Sequence, residues 1–313
     1  MAQLITYTII FTTVLTLVAL GGMFSERSGI INLGLEGIMV IGALAGAVAS
    51  SALSKVNAPG FLNVIISLLC AMAAGCLFSM LLGVACIRFK ADQTITGTAL
   101  NIMSTALAVV LARKYTGTTS SQIEYLPELY TIFSGKISIY IFLILMVVIV
   151  AISYIFLYKM KQGLHLMACG EHPQAAASVG IDVYKNRYLG VCISGVLGGL
   201  GGFAYVVQSA SLWDFKNGVV GFGFLALAVM IFGQWKPIRI FASALLFGFF
   251  QTLSLLYAGK FGIPTFVYKM LPYVVCMVVL ALTSKNSKAP KAEGIPYDKG
   301  QRWYEKNRCK QLE

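Results

Sequence analysis

Residues 139–158 read IYIFLILMVVIVAISYIFLY, a run of twenty consecutive residues without a charged side chain. A helix rises about 1.5 Å per residue, so a run of this length spans the roughly 30 Å hydrocarbon core of a bilayer. A backbone that faces lipid must satisfy its polar groups internally, and the run lacks the alternating pattern of barrel strands. This stretch therefore predicts a transmembrane α-helix.

Apolar runs of comparable length recur along the chain. Hydrophobic residues make up 58% of the 313 residues and charged residues only 12%, whereas a soluble domain carries about 25% charged residues. So little charge cannot cover a water-facing surface of this size. We predict an all-α fold, a polytopic transmembrane helix bundle of about nine spans, with eight or ten also compatible. The spans are placed at residues 4–20, 30–53, 61–87, 95–112, 139–158, 188–209, 219–232, 238–257 and 266–282.

Basic residues in the loops predict the orientation, because Lys and Arg accumulate on the cytoplasmic side of membrane proteins. The tail over residues 284–313 carries eight of them, and the loop over residues 159–187 carries four. Both are predicted to be cytoplasmic, together with the basic turns at residues 88–90 and 236–239. The loop over residues 113–136 then lies outside, as does the N-terminus.

The first apolar segment is compatible with a signal peptide or with a retained helix. A signal peptide needs a basic residue before its apolar core and a small-residue cleavage site. The sequence Met1-Ala2-Gln3 has no basic residue and no A-x-A site follows, which favours a retained helix. The net charge of +12 comes without a nucleic-acid signature, and the basic tail is interpreted as lying beside anionic lipid. The predicted organisation is a transmembrane domain over residues 1–283 and a tail over residues 284–313.

Residues 25–37, SERSGIINLGLEG, interrupt the apolar pattern near the start of the second span. Asn32 and Glu36 are four residues apart, so they are predicted to share one helix face. A carboxylate inside a span is costly and normally faces a bundle interior or a cavity. The alternative is that Glu36 lies at the interface and pairs with Arg27 to stabilise a turn. Either way, Glu36 is predicted not to face lipid.

A second interruption lies on the predicted cytoplasmic side, over residues 163–187. It predicts one short helix, because Pro173 suits a first helical position and Gly180 suits a C-terminal stop. Such a helix is either a connector or a docking element for a soluble partner. His165 and His172 are interpreted as surface residues, and the scattered cysteines support neither a metal site nor a disulfide framework.

A third interruption, over residues 213–224, precedes an apolar run of only about 14 residues, or about 21 Å of helix. Glycine richness and shortness predict a broken helix, although a longer, tilted helix is the alternative. Spans one to four would then map onto spans six to nine as an inverted repeat, as in many transporters. Asn101 in the fourth span and Gln208 at the end of the sixth are the other notable polar residues. Asn101 either hydrogen-bonds a neighbouring helix or faces a substrate path.

Two of these stretches resemble a known family when they are taken together. FSERSGIINLGLEGIMVIGALAGA at residues 24–47 and GLHLMACGEHPQAAASVGIDVYKNRYLGVCISGVLGGLGG at residues 163–202 are similar to motifs of permease subunits of ATP-binding-cassette importers for simple sugars and nucleosides. They occur in the family's order and at compatible spacing. His172 departs from the family pattern, which usually has Asn at this position.

The resemblance implies a permease that works by alternating access and is not itself an enzyme. The coupling segment, residues 159–187, would contact a separate ATPase that binds ATP-Mg, since this chain has no phosphate-binding loop and binds no cofactor of its own. The residues implied in this contact are Gly170, Glu171, Pro173, Ala175, Ala176 and Gly180. We hypothesise that four polar residues border the substrate pathway: Asn32, Glu36, Asn101 and Gln208.

The resemblance is greatest to the shorter of the two permeases of nucleoside importers. It implies a bacterial cytoplasmic membrane protein with a cytoplasmic C-terminus. The implied partners are an ATPase, a second homologous permease in a heterodimer, and a substrate-binding lipoprotein. A simple-sugar importer is the main alternative, and an ion-coupled secondary transporter is a further one.

Overall fold

The computed structural model describes residues 1–134, 138–258 and 289–298, together with positions 268, 270, 272–275, 277 and 281. The described residues include ten α-helices with defined bounds, further helical positions between 268 and 281, and two short antiparallel strand pairs. The helices are α1 Ala2–Arg27, α2 Leu35–Lys55, α3 Gly60–Gly83, α4 Gln93–Thr116, α5 Ile141–Lys159, α6 Lys161–Glu171, α7 Pro173–Ser178, α8 Val183–Ser209, α9 Phe222–Phe232 and α10 Pro237–Tyr257. The strands are β1 Gln122–Glu124, β2 Thr131–Ser134, β3 Ser138–Tyr140 and β4 Leu212–Asp214.

Short irregular helices complete these elements. A π-helical turn, Val84–Arg88, extends α3, and 3₁₀ turns lie at Pro127–Tyr130 and Phe215–Asn217. Within the described residues, seven helices are long and apolar enough to cross a membrane: α1, α2, α3 with its π-helical turn, α4, α5, α8 and α10. The predicted all-α, multi-pass membrane bundle is confirmed.

Two predicted spans begin three or more residues later in the structure, and a third lies mainly outside the described residues. The span predicted at residues 30–53 begins only at Leu35. The span predicted at residues 219–232 shrinks to the 11 residues of α9, about 17 Å of helix, so the broken-helix prediction is confirmed. The tilted-helix alternative is wrong, because Gly218 and Gly221 have φ values of +58° and +81° and end the helical geometry. The span predicted at residues 266–282 falls mostly on undescribed residues, and the inverted repeat stays a prediction.

The helices α1 and α8 form the centre of the bundle. Every residue of α1 from Ile10 to Glu26 is buried, and α8 packs against α1, α2 and α3. The close approach of α8 to α3 depends on Gly199 of α8, where an added Cβ would overlap the Ala71 carbonyl oxygen of α3. Small residues of this kind let membrane helices approach closely enough for extensive van der Waals contact. By contrast, α4 and α5 are peripheral and expose many apolar side chains.

The bundle has two distinct ends. At one end, β1 pairs with β4, so that Gln122 lies opposite Asp214. At the other end, Lys90 forms an ion pair with Asp298 across 2.8 Å between Nζ and Oδ2. Residues 289–298, predicted to be part of a solvated tail, instead pack against this end. The basic turn after α3 and the start of the basic tail thus share one end, as the loop charges predict, although its cytoplasmic orientation stays a prediction.

The contact between α3 and α8 generates a stability prediction. We expect Gly199→Ala to lower the free energy of unfolding by about 2–3 kcal/mol, the usual cost of overpacking against atoms that cannot move aside. The measurement is the thermal unfolding midpoint of the detergent-solubilised protein. Gly83→Ala is the matched control, because the nearest atoms to its Cβ would be Tyr188 ring carbons at 3.3 Å. Equal midpoints for the two variants would contradict the close contact.

Candidate translocation site

The chain between α1 and α2 forms the first break, defined as residues 28–34. Gly29 turns the chain with a φ of +94°, and the Ser25 hydroxyl donates to the Ile30 carbonyl at 2.8 Å. The break then runs back alongside α1, so that Leu35 reaches Gly22. Since Gly22 lies five residues before the end of α1, α2 begins about 7–8 Å inside the bundle.

Two asparagine side chains hold the first break. The Asn32 side-chain oxygen accepts from the Gly34 N–H at 3.1 Å, and its amide donates to the Ser194 hydroxyl of α8 at 2.8 Å. Asn101 of α4 accepts from the Gly37 N–H and donates to the Leu33 carbonyl, both at 2.8 Å. The first N–H groups of a helix have no hydrogen-bond acceptor within that helix. The side-chain oxygens of Asn32 and Asn101 act as acceptors at the start of α2.

The structure corrects one part of the sequence interpretation here. Asn32 precedes α2 and does not share a helix face with Glu36, because its amide bonds stabilise a non-helical backbone. The interpretation that Asn101 hydrogen-bonds a neighbouring helix is confirmed. Ser194 was not singled out by the sequence, since a serine among apolar and glycine residues carries no distinguishing pattern.

The carboxylate of Glu36 connects the first break to a second one, defined as residues 218–221. Its Oε1 accepts from the Gly221 N–H at 2.8 Å and its Oε2 accepts from the Gly223 N–H at 2.7 Å. These N–H groups belong to the start of α9, where the helix dipole favours negative charge. The predicted alternative, pairing with Arg27, is wrong, because Arg27 donates to the Trp235 carbonyl at 3.1 Å.

Two interrupted helices therefore meet inside the bundle. The first turn of α2 carries Glu36, and its carboxylate accepts from the Gly221 N–H at the end of the second break and from the Gly223 N–H in the first turn of α9. Upstream of α9, Gly218 approaches Val40 and Thr105, which places the second break beside α2 and α4. Interrupted helices that face each other near the centre of a membrane bundle are typical of transport sites.

Gln208 lies apart from the asparagine and glutamate contacts. It is 7% exposed near the end of α8, and its Oε1 has no hydrogen-bond partner among the described residues.

The sequence did not identify Gly221 and Gly223 as site residues, although both lie in the glycine-rich stretch over residues 213–224 that it did identify. The local pattern marked the stretch but could not indicate which N–H groups would receive a carboxylate.

The predicted coupling segment, residues 159–187, contains the two helices α6 and α7 before the start of α8, where the sequence predicts one short helix. Pro173 occupies the first position of α7, and Gly180 follows its end with a φ of +87°, so the predicted start and stop are confirmed. The preceding helix, α6, is an addition that the sequence interpretation missed. The Gly180 N–H donates to the Ala177 carbonyl at 3.1 Å, which closes the last turn.

The predicted coupling residues are divided between the two faces of α6 and α7. Ala175 and Gly180 are exposed, Glu171 is partly buried, and Gly170, Pro173 and Ala176 are buried. The outward face of this region consists of Ala175, Ser178, Val179 and Gly180, and Val179 is 75% exposed. The Ala176 side chain points towards the bundle and is not on this face.

The described residues contain no group of three or more His, Cys, Asp or Glu side chains arranged to hold a metal ion. The architecture as a whole, a multi-pass helical bundle in which two interrupted helices meet at depth, is that of a membrane transport protein.

The chain belongs to the family of permease components of branched-chain amino acid transport systems, whose model matches residues 4–280. It is 39% identical to the guanosine ABC transporter permease protein NupQ of Bacillus subtilis over 94% of this chain and 96% of that protein. It is 38% identical to the nucleoside ABC transporter permease protein NupC of Lactococcus lactis over 93% of this chain and 95% of that protein. The putative glucose ABC transporter permease protein TsgC13 of Haloferax volcanii is 32% identical, over 81% of this chain and 77% of that protein.

The Glu36 contacts generate a second stability prediction. We expect Glu36→Ala to lower the free energy of unfolding by about 3 kcal/mol or more, because two N–H groups lose a charged acceptor. Glu36→Gln keeps one side-chain oxygen as acceptor and should lose less. The measurement is the thermal unfolding midpoint in detergent, with the exposed Glu128→Ala as the matched control. A midpoint for Glu36→Ala equal to that of the control would contradict the assigned role.

Proposed function

We propose that this chain is a permease subunit of an ATP-binding-cassette importer that moves nucleosides into the cell by alternating access. The observation that carries the proposal is the near full-length similarity to a guanosine permease and a nucleoside permease. The junction of two interrupted helices supports it, because this geometry suits a path that must open alternately to each side.

In this mechanism, the hydrogen bonds of Glu36 hold the start of α2 against the second break and the start of α9. Its carboxylate is occupied by the Gly221 and Gly223 N–H groups, and Asn32 and Asn101 are similarly engaged with backbone groups and with Ser194. These side chains therefore hold the helices that border the path. Movement of α9 away from α2 would free the carboxylate, and substrate selection would rest mainly with the binding protein.

The outward face of α7 is the proposed contact with the ATPase. Ala175, Ser178 and Val179 present a small, largely apolar surface, which suits insertion into a groove of a soluble partner. ATP-Mg would bind that partner, since this chain lacks the phosphate-loop pattern. The chain itself is proposed to have no catalytic activity.

The remaining partners follow from the two ends and the sides of the bundle. The exposed apolar faces of α4 and α5 are available to lipid and to a second, homologous permease in a heterodimer. At the end that carries β1 and β4, an open cavity of about 640 Å³ faces the side from which a substrate-binding lipoprotein would deliver its cargo. The C-terminus is proposed to lie on the opposite, cytoplasmic side of the bacterial cytoplasmic membrane.

A reconstituted transport assay tests the function. Proteoliposomes would contain this permease with its partner permease, the ATPase and the lipoprotein, and uptake of labelled guanosine, uridine and glucose would be compared. We expect ATP-dependent nucleoside uptake that glucose does not compete with. The matched control is an ATPase whose phosphate-loop lysine is replaced, which should abolish uptake.

A simple-sugar importer is the second candidate, and the similarity to a putative glucose permease supports it. Glucose uptake that nucleosides do not inhibit would favour this candidate and contradict the proposal. Uptake that continues without the ATPase, driven by an ion gradient, would contradict both and indicate a secondary transporter.

The proposed coupling contact generates its own prediction. We expect Ala175→Arg to abolish co-purification of the ATPase, because a long cationic side chain blocks insertion of the small outward face. The matched control is Gln162→Arg, an exposed position on α6, which should retain the ATPase. Undiminished co-purification with Ala175→Arg would place the ATPase contact elsewhere.

A further inference from the structure

Residues 289–298 form a strap across the end of the bundle that carries α6 and α7. The strap is an integral part of the packing, since Ala292 is fully buried and Tyr297 is 5% exposed. The strap has helical or strand structure at none of its positions. Its backbone groups are satisfied partly by its own turns, in which the Glu293 and Ile295 N–H groups donate to the Pro290 and Ala292 carbonyls, and partly by other elements.

Three backbone contacts attach the strap to three different parts of the molecule. The Ala292 N–H donates to the Gly170 carbonyl of α6 at 2.9 Å, and the Gly294 N–H donates to the Gly29 carbonyl of the first break at 3.3 Å. The Arg187 guanidinium of α8 donates to the Ile295 carbonyl at 3.0 Å. One short segment thus joins the coupling helices, the first break and the central helix.

The contact at Arg187 stabilises both the strap and the buried Arg187 side chain. This side chain is 1% exposed, and two of its three guanidinium nitrogens have no hydrogen-bond partner among the described residues. A buried cation is costly unless its charge and donors are compensated. The Ile295 carbonyl is therefore an important partner, and removal of the strap would leave the guanidinium with less compensation.

The far end of the strap packs against the coupling segment itself. The Tyr297 ring lies 5.3 Å from the Tyr184 ring, measured between centroids. It belongs to a small buried cluster with Cys169 of α6, Ala176 of α7 and Val183 of α8. The inward-facing Ala176 therefore contributes to the same cluster as the strap, while the opposite face of α7 remains exposed.

The centre of the strap is joined to α1 by a pair of carboxyl groups. The Glu293 carboxyl lies beside the Glu26 carboxyl. The Trp235 indole N–H donates to the Glu26 carboxyl at 2.6 Å. Burial raises the pKa of Glu293 to about 7. Two further charged groups on the packed elements are Arg27, engaged with the Trp235 carbonyl, and Arg187, engaged with the Ile295 carbonyl. The strap also carries Lys291 and Asp298, α6 carries Lys161 and Glu171, and α8 carries Lys185.

From these contacts we propose that the strap is a transmission element, which couples movement of α6 and α7 to the first break and hence to the path bordered by α2. The inference rests on the proposed function, because it assumes that an ATPase moves α7. Without the strap, α6 approaches this region at Gly170, where an added Cβ would overlap the Arg27 carbonyl oxygen of α1 and lie 3.4 Å from the Gly29 nitrogen of the first break. The strap adds a second, hydrogen-bonded connection between α6 and the first break.

The test uses Gly294→Val in the complete reconstituted transporter. Gly294 has a φ of +75°, and an added Cβ would lie 2.9 Å from Ile31 of the first break. The matched control is Gly117→Val, which has a φ of +66° and no atom within 4 Å of the added Cβ. Both variants strain the backbone, but only Gly294→Val opposes docking of the strap.

Two measurements separate docking of the strap from its proposed role in coupling ATP hydrolysis to import. A zero-length carbodiimide cross-link between Lys90 and Asp298, identified by mass spectrometry, reports docking, because these side chains form an ion pair. The number of ATP molecules hydrolysed for each substrate molecule imported reports coupling. We expect Gly294→Val to lower the docking equilibrium constant about tenfold through backbone strain, and to raise the ATP consumed per substrate several-fold while the ATPase still co-purifies. Gly117→Val should change neither measurement.

The outcomes distinguish the inference from the proposed function. Loss of the cross-link with an unchanged ATP-to-substrate ratio would overturn the strap's role. Absence of ATP-driven import in the unmodified transporter would instead contradict the proposed function. Tyr297→Ala is the second variant, because it loosens the strap at the other end without strain; the same ratio is measured, and a rise supports the role.

The carboxyl pair gives the strap a pH dependence with a definite sign. Docking buries Glu293, and burial raises the pKa of its carboxyl to about 7 from its ordinary value near 4.5. A group whose pKa is higher in the docked state favours docking when it is protonated, so docking weakens as the pH rises from about 4.5 to about 7. We expect the Lys90–Asp298 cross-link of the wild type to fall relative to that of Glu293→Gln over this range. Taking the ratio at each pH cancels the pH dependence of the reagent. A constant ratio would overturn the dependence of docking on the protonation of Glu293.

Discussion

The contact of the Glu36 carboxylate with the first N–H groups of α9 is the interaction on which the transport architecture depends. A helix that begins inside a membrane bundle exposes unsatisfied N–H groups, and there is no bulk water to accept their hydrogen bonds. Glu36 supplies a charged acceptor for two of these groups. Without it, α9 could start inside the bundle only at considerable cost. The same carboxylate is satisfied in return, so neither the charge nor the helix end is left uncompensated.

The close packing of the central helices makes this contact possible. Gly199 lets α8 approach α3 to backbone distance, and Ser194 of the same helix receives the Asn32 amide. The first break is thus supported from α8 by Asn32 and from α4 by Asn101. Small residues at the helix contacts and amides at the break have complementary roles, because packing brings the elements together and hydrogen bonds define where α2 begins.

The end of the bundle that carries α6 and α7 is organised around contacts that are distant in sequence. The strap reaches α6, α8 and the first break, and Tyr297 shares a buried cluster with Ala176. This packing gives α7 two different faces. One face, which includes Ala176, packs against the rest of the bundle, and the other, around Ala175 and Val179, is exposed and is the face proposed to contact the ATPase.

The sequence by itself determined the class of fold, because span length and charge depletion follow from the thickness and low polarity of a bilayer. It also determined local features such as the start of α7 at Pro173 and its stop at Gly180, which depend on backbone preferences of single residues. Only the tertiary structure decided which partner Glu36 takes, that Asn32 precedes the helix, and that Ala176 faces inward. These features depend on groups separated by up to about 190 positions in the chain, and no local pattern specifies which distant backbone N–H or ring will lie opposite a given side chain.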